Sequence, residues 1–150
     1  MEKKRKIIPV VYLLTSLVLM GLLQVFFPVY QYVEPPLAYL GIVVVFFGIA
    51  IAAVSAGMFK KAETGIMPFD PANTLIVTGF YRFTRNPIYM GMFLMLFGVA
   101  FLLGSISVLL PVFLFMLVIR NNFVLGEERF LEATFGQHYR DYKSAVRRWL

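Results

Sequence analysis

The chain has 150 residues, 60% of them apolar or aromatic and 15% charged, and its mean hydropathy is +0.79. A water-soluble domain carries roughly a quarter charged residues and a disordered chain is low in hydrophobicity, so composition excludes both and leaves an integral membrane protein. Fourteen Lys and Arg against eight Asp and Glu give a net charge of +6, while the lack of Cys excludes disulfides, thiolate nucleophiles and Cys-ligated metals.

From the N-terminus, a basic stretch to Lys6 precedes a charge-free run of 21 residues, Ile7 to Phe27. This run exceeds the apolar part of a secretory signal and lacks a small-residue cleavage pattern, so it reads as a retained helix. Leu37 to Phe59 is a second uncharged run, of 23 residues, and at 1.5 Å per residue both reach the hydrocarbon thickness of about 30 Å. Residues 60–86 then form a long loop with Pro68, Pro71 and Gly79. Such loops tend to carry function. Asn86 to Ile119 is uncharged over 34 residues, about 50 Å as one helix. It must fold back, and Gly104-Ser105-Ile106-Ser107 is the turn expected.

The expected fold is therefore all-α and polytopic, one membrane domain of four transmembrane helices at about 7–27, 37–59, 87–103 and 107–126, the last two a tight hairpin. A helical tail over 127–150 follows, with Tyr139, Tyr142, Val146 and Trp149 as the apolar stripe of an amphipathic cytoplasmic helix. Gly136 is expected to break this tail from a shorter helix before it. With both termini cytoplasmic, all fourteen basic residues fall at that face, which satisfies the positive-inside rule and removes nucleic acid as the explanation of the charge.

Asn86-Pro87 has the chemistry of a helix start, with Asn as N-cap and Pro at the first helical position. Its free amides favour an anionic group, and Arg85 and Arg82 strengthen that field. If the hairpin is used as a ruler, residue 87 lies level with about residue 124, so Arg85 to Tyr89 face the stretch from Arg120 to Glu128. Arg120, Asn121, Asn122, Glu127 and Glu128 would then be polar groups at membrane depth opposite a helix start, a functional candidate rather than five separately solvated side chains. His138 is alone and reads as solvated; no metal site is expected. Gly41 with Gly48 and Gly91 with Gly98 suggest close helix packing.

At these residues the chain resembles the integral membrane methyltransferases related to isoprenylcysteine carboxyl methyltransferase and the phospholipid N-methyltransferases. The likeness runs from Thr78-Gly79-Phe80-Tyr81-Arg82 through Arg85-Asn86-Pro87-Ile88-Tyr89-Met90-Gly91 to Glu127-Glu128 and Phe135-Gly136-Gln137-His138-Tyr139-Arg140-Asp141-Tyr142. The eukaryotic enzyme has His where this chain has Asn86, a familiar variant in bacterial relatives. The resemblance implies an S-adenosylmethionine site built from Tyr81, Arg85, Asn86, Pro87, Tyr89, Gly91, Glu127 and Glu128. Arg120 and Asn121 are then expected to meet the polar head of a lipophilic acceptor entering from membrane lipid, in the cytoplasmic membrane of a bacterium or archaeon. Two alternatives stand beside this: an NADPH-binding enzyme like the sterol reductases, for which the chain has few spans, and a non-enzymatic helical-bundle interaction protein.

Overall fold

The computed structural model describes residues 9–65 and 72–150. The expected basic start, Ile7 and Ile8 of the first span, and the part of the long loop holding Pro68 and Pro71 lie outside the described residues. Among the described residues four apolar helices form the bundle: α1 (Pro9–Phe26), α2 (Leu40–Lys61), α3 (Pro87–Leu103) and α4 (Leu109–Ile119). A wide turn at Arg120–Val124 joins α4 without interruption to α5 (Leu125–Phe135), and α6 (Gln137–Ala145) follows. No strand occurs among the described residues beyond a single bridge between Gln31 and Ser105. Three helical stretches among the described residues are long and apolar enough to cross a membrane, at Pro9–Phe26, Leu37–Lys61 and Ile106–Phe135; α3 is shorter, at 17 residues.

The expected turn closes the α3–α4 hairpin. Gly104 ends α3 at φ +71°, a left-handed conformation that favours glycine. The loop after α1 straps this turn. Tyr32 N–H donates to the Gly104 carbonyl at 2.7 Å, Gln31 Nε2 to the Leu103 carbonyl at 2.9 Å, and Ser105 Oγ to the Val29 carbonyl at 3.0 Å. Buried turn carbonyls need such partners once water is excluded.

The glycine pairs behave as their spacing suggests. A β-carbon built on Gly98 would lie 2.6 Å from the Gly41 carbonyl oxygen, so the α2 and α3 backbones touch. Facing the other side of α3, Leu96, Val112, Phe115 and Ile119 form a buried apolar seam with Met20 of α1. The outward faces of α1, α2 and α4 keep exposed Leu, Val and Phe, as lipid contact requires.

Two expectations are corrected. The tail is not one helix to residue 150: Gly136, at φ +56°, breaks it where expected, but α6 ends at Ala145 and Val146 is extended at φ −122° and ψ 131°. In that form the carbonyls of Arg147 and Arg148 turn toward the donors of the Thr84 to Asn86 loop, which a helix would have directed along its own axis. The second correction concerns the start of α3. Pro87 takes the first helical position, but the Asn86 side chain makes no cap bond to the helix and donates instead to the Arg148 carbonyl at 3.0 Å.

Candidate functional site

A cavity of about 530 Å³ opens where the charged end of the bundle meets the loop and tail. Ligand pockets commonly span about 300–1,000 Å³. One end is apolar, lined by Ile49, Ala52 and Ala53 of α2 and by Ile88, Met92 and Met95 of α3. The other is polar, with Arg85, Asn86, Tyr89, Glu127 and Glu128. Loop residues Thr74, Leu75, Ile76 and Tyr81 close one side, and Tyr139 and Tyr142 of α6 close another.

The hairpin brings the two motifs together. Tyr89 donates its phenolic hydrogen to Glu127 Oε1 at 2.7 Å, and its ring lies 6.5 Å from that of Phe123. Glu128 has a side chain only 9% exposed between two guanidiniums. Arg148 meets both of its oxygens, Nε to Oε1 at 2.8 Å and Nη2 to Oε2 at 2.9 Å. Arg85 Nη1 lies 3.2 Å from Oε1, in a direction that does not make a hydrogen bond. The Arg85 Nε and Nη1 atoms have no acceptor among the described residues although its side chain is 8% exposed. Buried guanidinium donors left without acceptors are costly, which suits a site completed by an anion.

Tyr81 sits on a short 3-10 turn, Gly79–Arg82. Its carbonyl accepts the Tyr142 hydroxyl at 2.7 Å and its ring meets Phe59 edge-on at 5.8 Å. Burial holds both phenols above the ordinary tyrosine range; Tyr142 and Glu127 raise Tyr81 further, while Tyr139 raises Tyr142 and the Arg85 charge opposes it. They act here as neutral walls and donors. On Arg148, hydrogen bonding to Glu128 raises the guanidinium's affinity for its proton further, against the smaller effect of burial.

Of the ten residues expected in the site, Tyr81, Arg85, Asn86, Tyr89, Glu127 and Glu128 line the cavity; Pro87, Gly91, Arg120 and Asn121 do not. Pro87 starts α3, and Gly91 is the contact point with α2. Arg120 donates to Asn121 Oδ1 at 3.0 Å, and Asn121 and Asn122 are exposed. In an unbroken α-helix Arg120 and Glu127, seven residues apart, would share a face. The wide turn at Arg120–Val124 takes up one extra residue and swings Arg120 away by about 100°. The five polar groups therefore divide, with the two glutamates in the cavity and the other three outside it. His138 is exposed, and no group of three or more His, Cys, Asp or Glu suited to a metal occurs among the described residues.

Arg148 and the small-residue face of α2 were not expected in the site. Arg148 reads in sequence as one more topological charge, and only the fold carries it back to Glu128. Ala52, Ala53 and Ala56 sit in an uncharged run whose sequence does not separate lipid-facing from cavity-facing positions.

A family model described as phospholipid methyltransferase matches residues 36–138 of the chain. An uncharacterized protein of Haemophilus influenzae is 41% identical over 63 residues, 42% of this chain and the whole of that relative. No solved structure matches. The match takes in α2, the loop, the α3–α4 hairpin with both cavity motifs, and α5, and by it the chain belongs to the phospholipid methyltransferase family.

Proposed function

We propose that the protein is an S-adenosylmethionine-dependent methyltransferase acting on a lipophilic acceptor, its site at the cytoplasmic face of the membrane. The observation that carries this is the division of one cavity into an ionic, hydrogen-bonding end and an apolar end made by membrane-spanning helices. The residues present fit the cofactor. The acceptor-poor guanidinium of Arg85 suits its carboxylate, Glu127 its ammonium or ribose hydroxyls, and the faces of Tyr81 and Tyr89 its adenine or sulfonium. When bound, S-adenosylmethionine supplies an electrophilic methyl group for in-line displacement.

The chain's own contribution is alignment and exclusion of water. Tyr89 fixes Glu127 in one orientation through the 2.7 Å hydrogen bond, so that this acceptor is positioned before any ligand arrives. Ile49, Ala52, Met92 and Met95 offer an acceptor's apolar tail a surface continuous with the bilayer interior. They also leave its nucleophilic head short of solvating water, which raises its reactivity.

The test is calorimetric titration of the purified full chain with S-adenosylmethionine, S-adenosylhomocysteine and NADPH. Heat is expected with the first two and none with the third. Glu127→Ala should weaken both by about tenfold or more, the worth of one hydrogen bond to a charged group. Binding of NADPH alone, or of none of the three, overturns the reading.

A further inference from the structure

Glu128 is contested by two guanidiniums and only one of them holds it well. Arg148 engages both carboxylate oxygens, at 2.8 and 2.9 Å, in the parallel geometry that makes guanidinium–carboxylate pairs strong. Arg85 Nη1 approaches Oε1 at 3.2 Å without aligning as a hydrogen bond, and its guanidinium also faces the Tyr139 hydroxyl. The Arg85 side chain is more than nine-tenths buried, lines the cavity, and carries two nitrogens without an acceptor among the described residues.

Arg148 is set in this place by its own backbone. The Arg147 carbonyl accepts the Arg85 amide N–H at 3.0 Å. The Arg148 carbonyl accepts Thr84 Oγ1 at 2.9 Å and Asn86 Nδ2 at 3.0 Å. The extended tail is thus bonded to three consecutive residues of the loop that carries Arg85, and its side chain reaches past them to Glu128.

We propose that Arg148 is a positioning residue for an anion subsite at Arg85: by occupying both oxygens of Glu128 it keeps that carboxylate from closing onto Arg85 and leaves the buried guanidinium open to the carboxylate of a cavity ligand. This rests on the function proposed above, and it adds a member from residues 139–150, beyond the stretch matched by the family model. Without Arg148, Glu128 would turn to Arg85, the nearer of its remaining cations since Lys143 is paired with Glu132, take the bidentate geometry itself, and compete with the ligand for the same donors. Selectivity follows. Ligands with a carboxylate depend on Arg148, and those without one do not.

The test uses two ligands on the purified full chain: S-adenosylhomocysteine, which carries the aminocarboxylate, and 5′-methylthioadenosine, which lacks it. Arg148→Ala should weaken the first by about 10- to 100-fold, one charge-assisted interaction, and leave the second unchanged. Adding Glu128→Gln to Arg148→Ala should restore binding of S-adenosylhomocysteine, because the neutral amide no longer neutralises Arg85. If Arg148→Ala does not fold, Arg148→Lys, whose ammonium holds one oxygen only, should give a smaller loss with the same selectivity. Parallel loss of both ligands, no loss of either, or no recovery in the double variant overturns the proposal. A wild-type chain that binds neither ligand overturns instead the function on which it rests.

Discussion

Gly48 of α2 and Gly91 of α3 meet reciprocally: a β-carbon built on either would lie 2.6 Å from the carbonyl oxygen of the other. The contact sits one residue from Ile49 and Met92, which line the cavity, so the spacing of α2 and α3 sets the cavity's apolar width. Either glycine changed to Ala must push backbone rather than a flexible side chain. Gly91→Ala is expected to cost about 1–3 kcal/mol, the usual range for overpacking. Gly57, in α2 with Gly48 but with nothing within 4 Å of its built β-carbon, is the control. Gly57→Ala should be neutral or stabilise by up to about 1 kcal/mol through backbone entropy. Thermal unfolding in detergent distinguishes the two, and equal shifts would show that the helix contact is not tight.

Asn86 joins the start of α3 to the tail through the hydrogen bond from its Nδ2 to the Arg148 carbonyl. Asn86→Asp keeps the shape, removes the donor and sets a carboxylate against a carbonyl oxygen at a site 8% exposed. A loss of about 1–3 kcal/mol is expected from the unsatisfied buried acceptor. Asn86→Ala, which removes the donor without adding charge, should cost less. Chemical denaturation in mixed micelles reads the difference, and an Asp variant as stable as wild type would place Asn86 outside the tail contact.

Tyr81 and Tyr142 give a pH dependence with a defined sign. Burial raises both phenols above the ordinary value of 10.0. A group whose folded value is raised contributes stability that is complete below its unfolded value and is lost as pH rises through the folded one. Stability should therefore fall above about pH 10 as unfolded tyrosines ionise and the folded ones resist. Tyr142→Phe loses the 2.7 Å hydrogen bond to the Tyr81 carbonyl, costing about 1 kcal/mol at neutral pH, and should soften the alkaline fall. Denaturation midpoints of both chains across the alkaline range provide the check. Identical slopes would mean that Tyr142 is as accessible folded as unfolded.

The long features of the fold were legible because they follow from one-dimensional quantities. Uncharged runs placed α1 to α4, Pro87 placed the start of α3, and Gly104 and Gly136 placed two breaks. The hairpin ruler set the Arg85 to Tyr89 stretch opposite Arg120 to Glu128 because rise per residue is nearly constant in both helices, and the Tyr89–Glu127 hydrogen bond falls between those stretches. It failed for Arg120 because a wide turn changes the angle about the axis while scarcely changing depth. The tail failed for another reason. Tyr139, Tyr142, Val146 and Trp149 do carry a helical spacing, but the alternative partners of Arg147 and Arg148 lie about sixty residues away in sequence, at Thr84 to Asn86. Periodicity is blind to that competition.

Membrane orientation is open to a direct check that the composition makes clean, since the chain has no Cys. The strap that holds the Gly104 turn includes the loop with Glu34, whereas Lys60 and Lys61 end α2 at the opposite end of the bundle, beside the cavity. Arg85, Arg148 and the two lysines that end α2 lie at the cavity end, and the positive-inside rule predicts that this end faces the cytoplasm. Single cysteines can be introduced at exposed sites as Glu34→Cys, Lys61→Cys and Ser144→Cys. A membrane-impermeant maleimide applied to intact cells should label the first and leave the other two until the membrane is opened. Labelling of Lys61→Cys or Ser144→Cys in intact cells would invert the orientation and put the cavity on the side away from a cytoplasmic cofactor, so the result bears on the function as well as on topology.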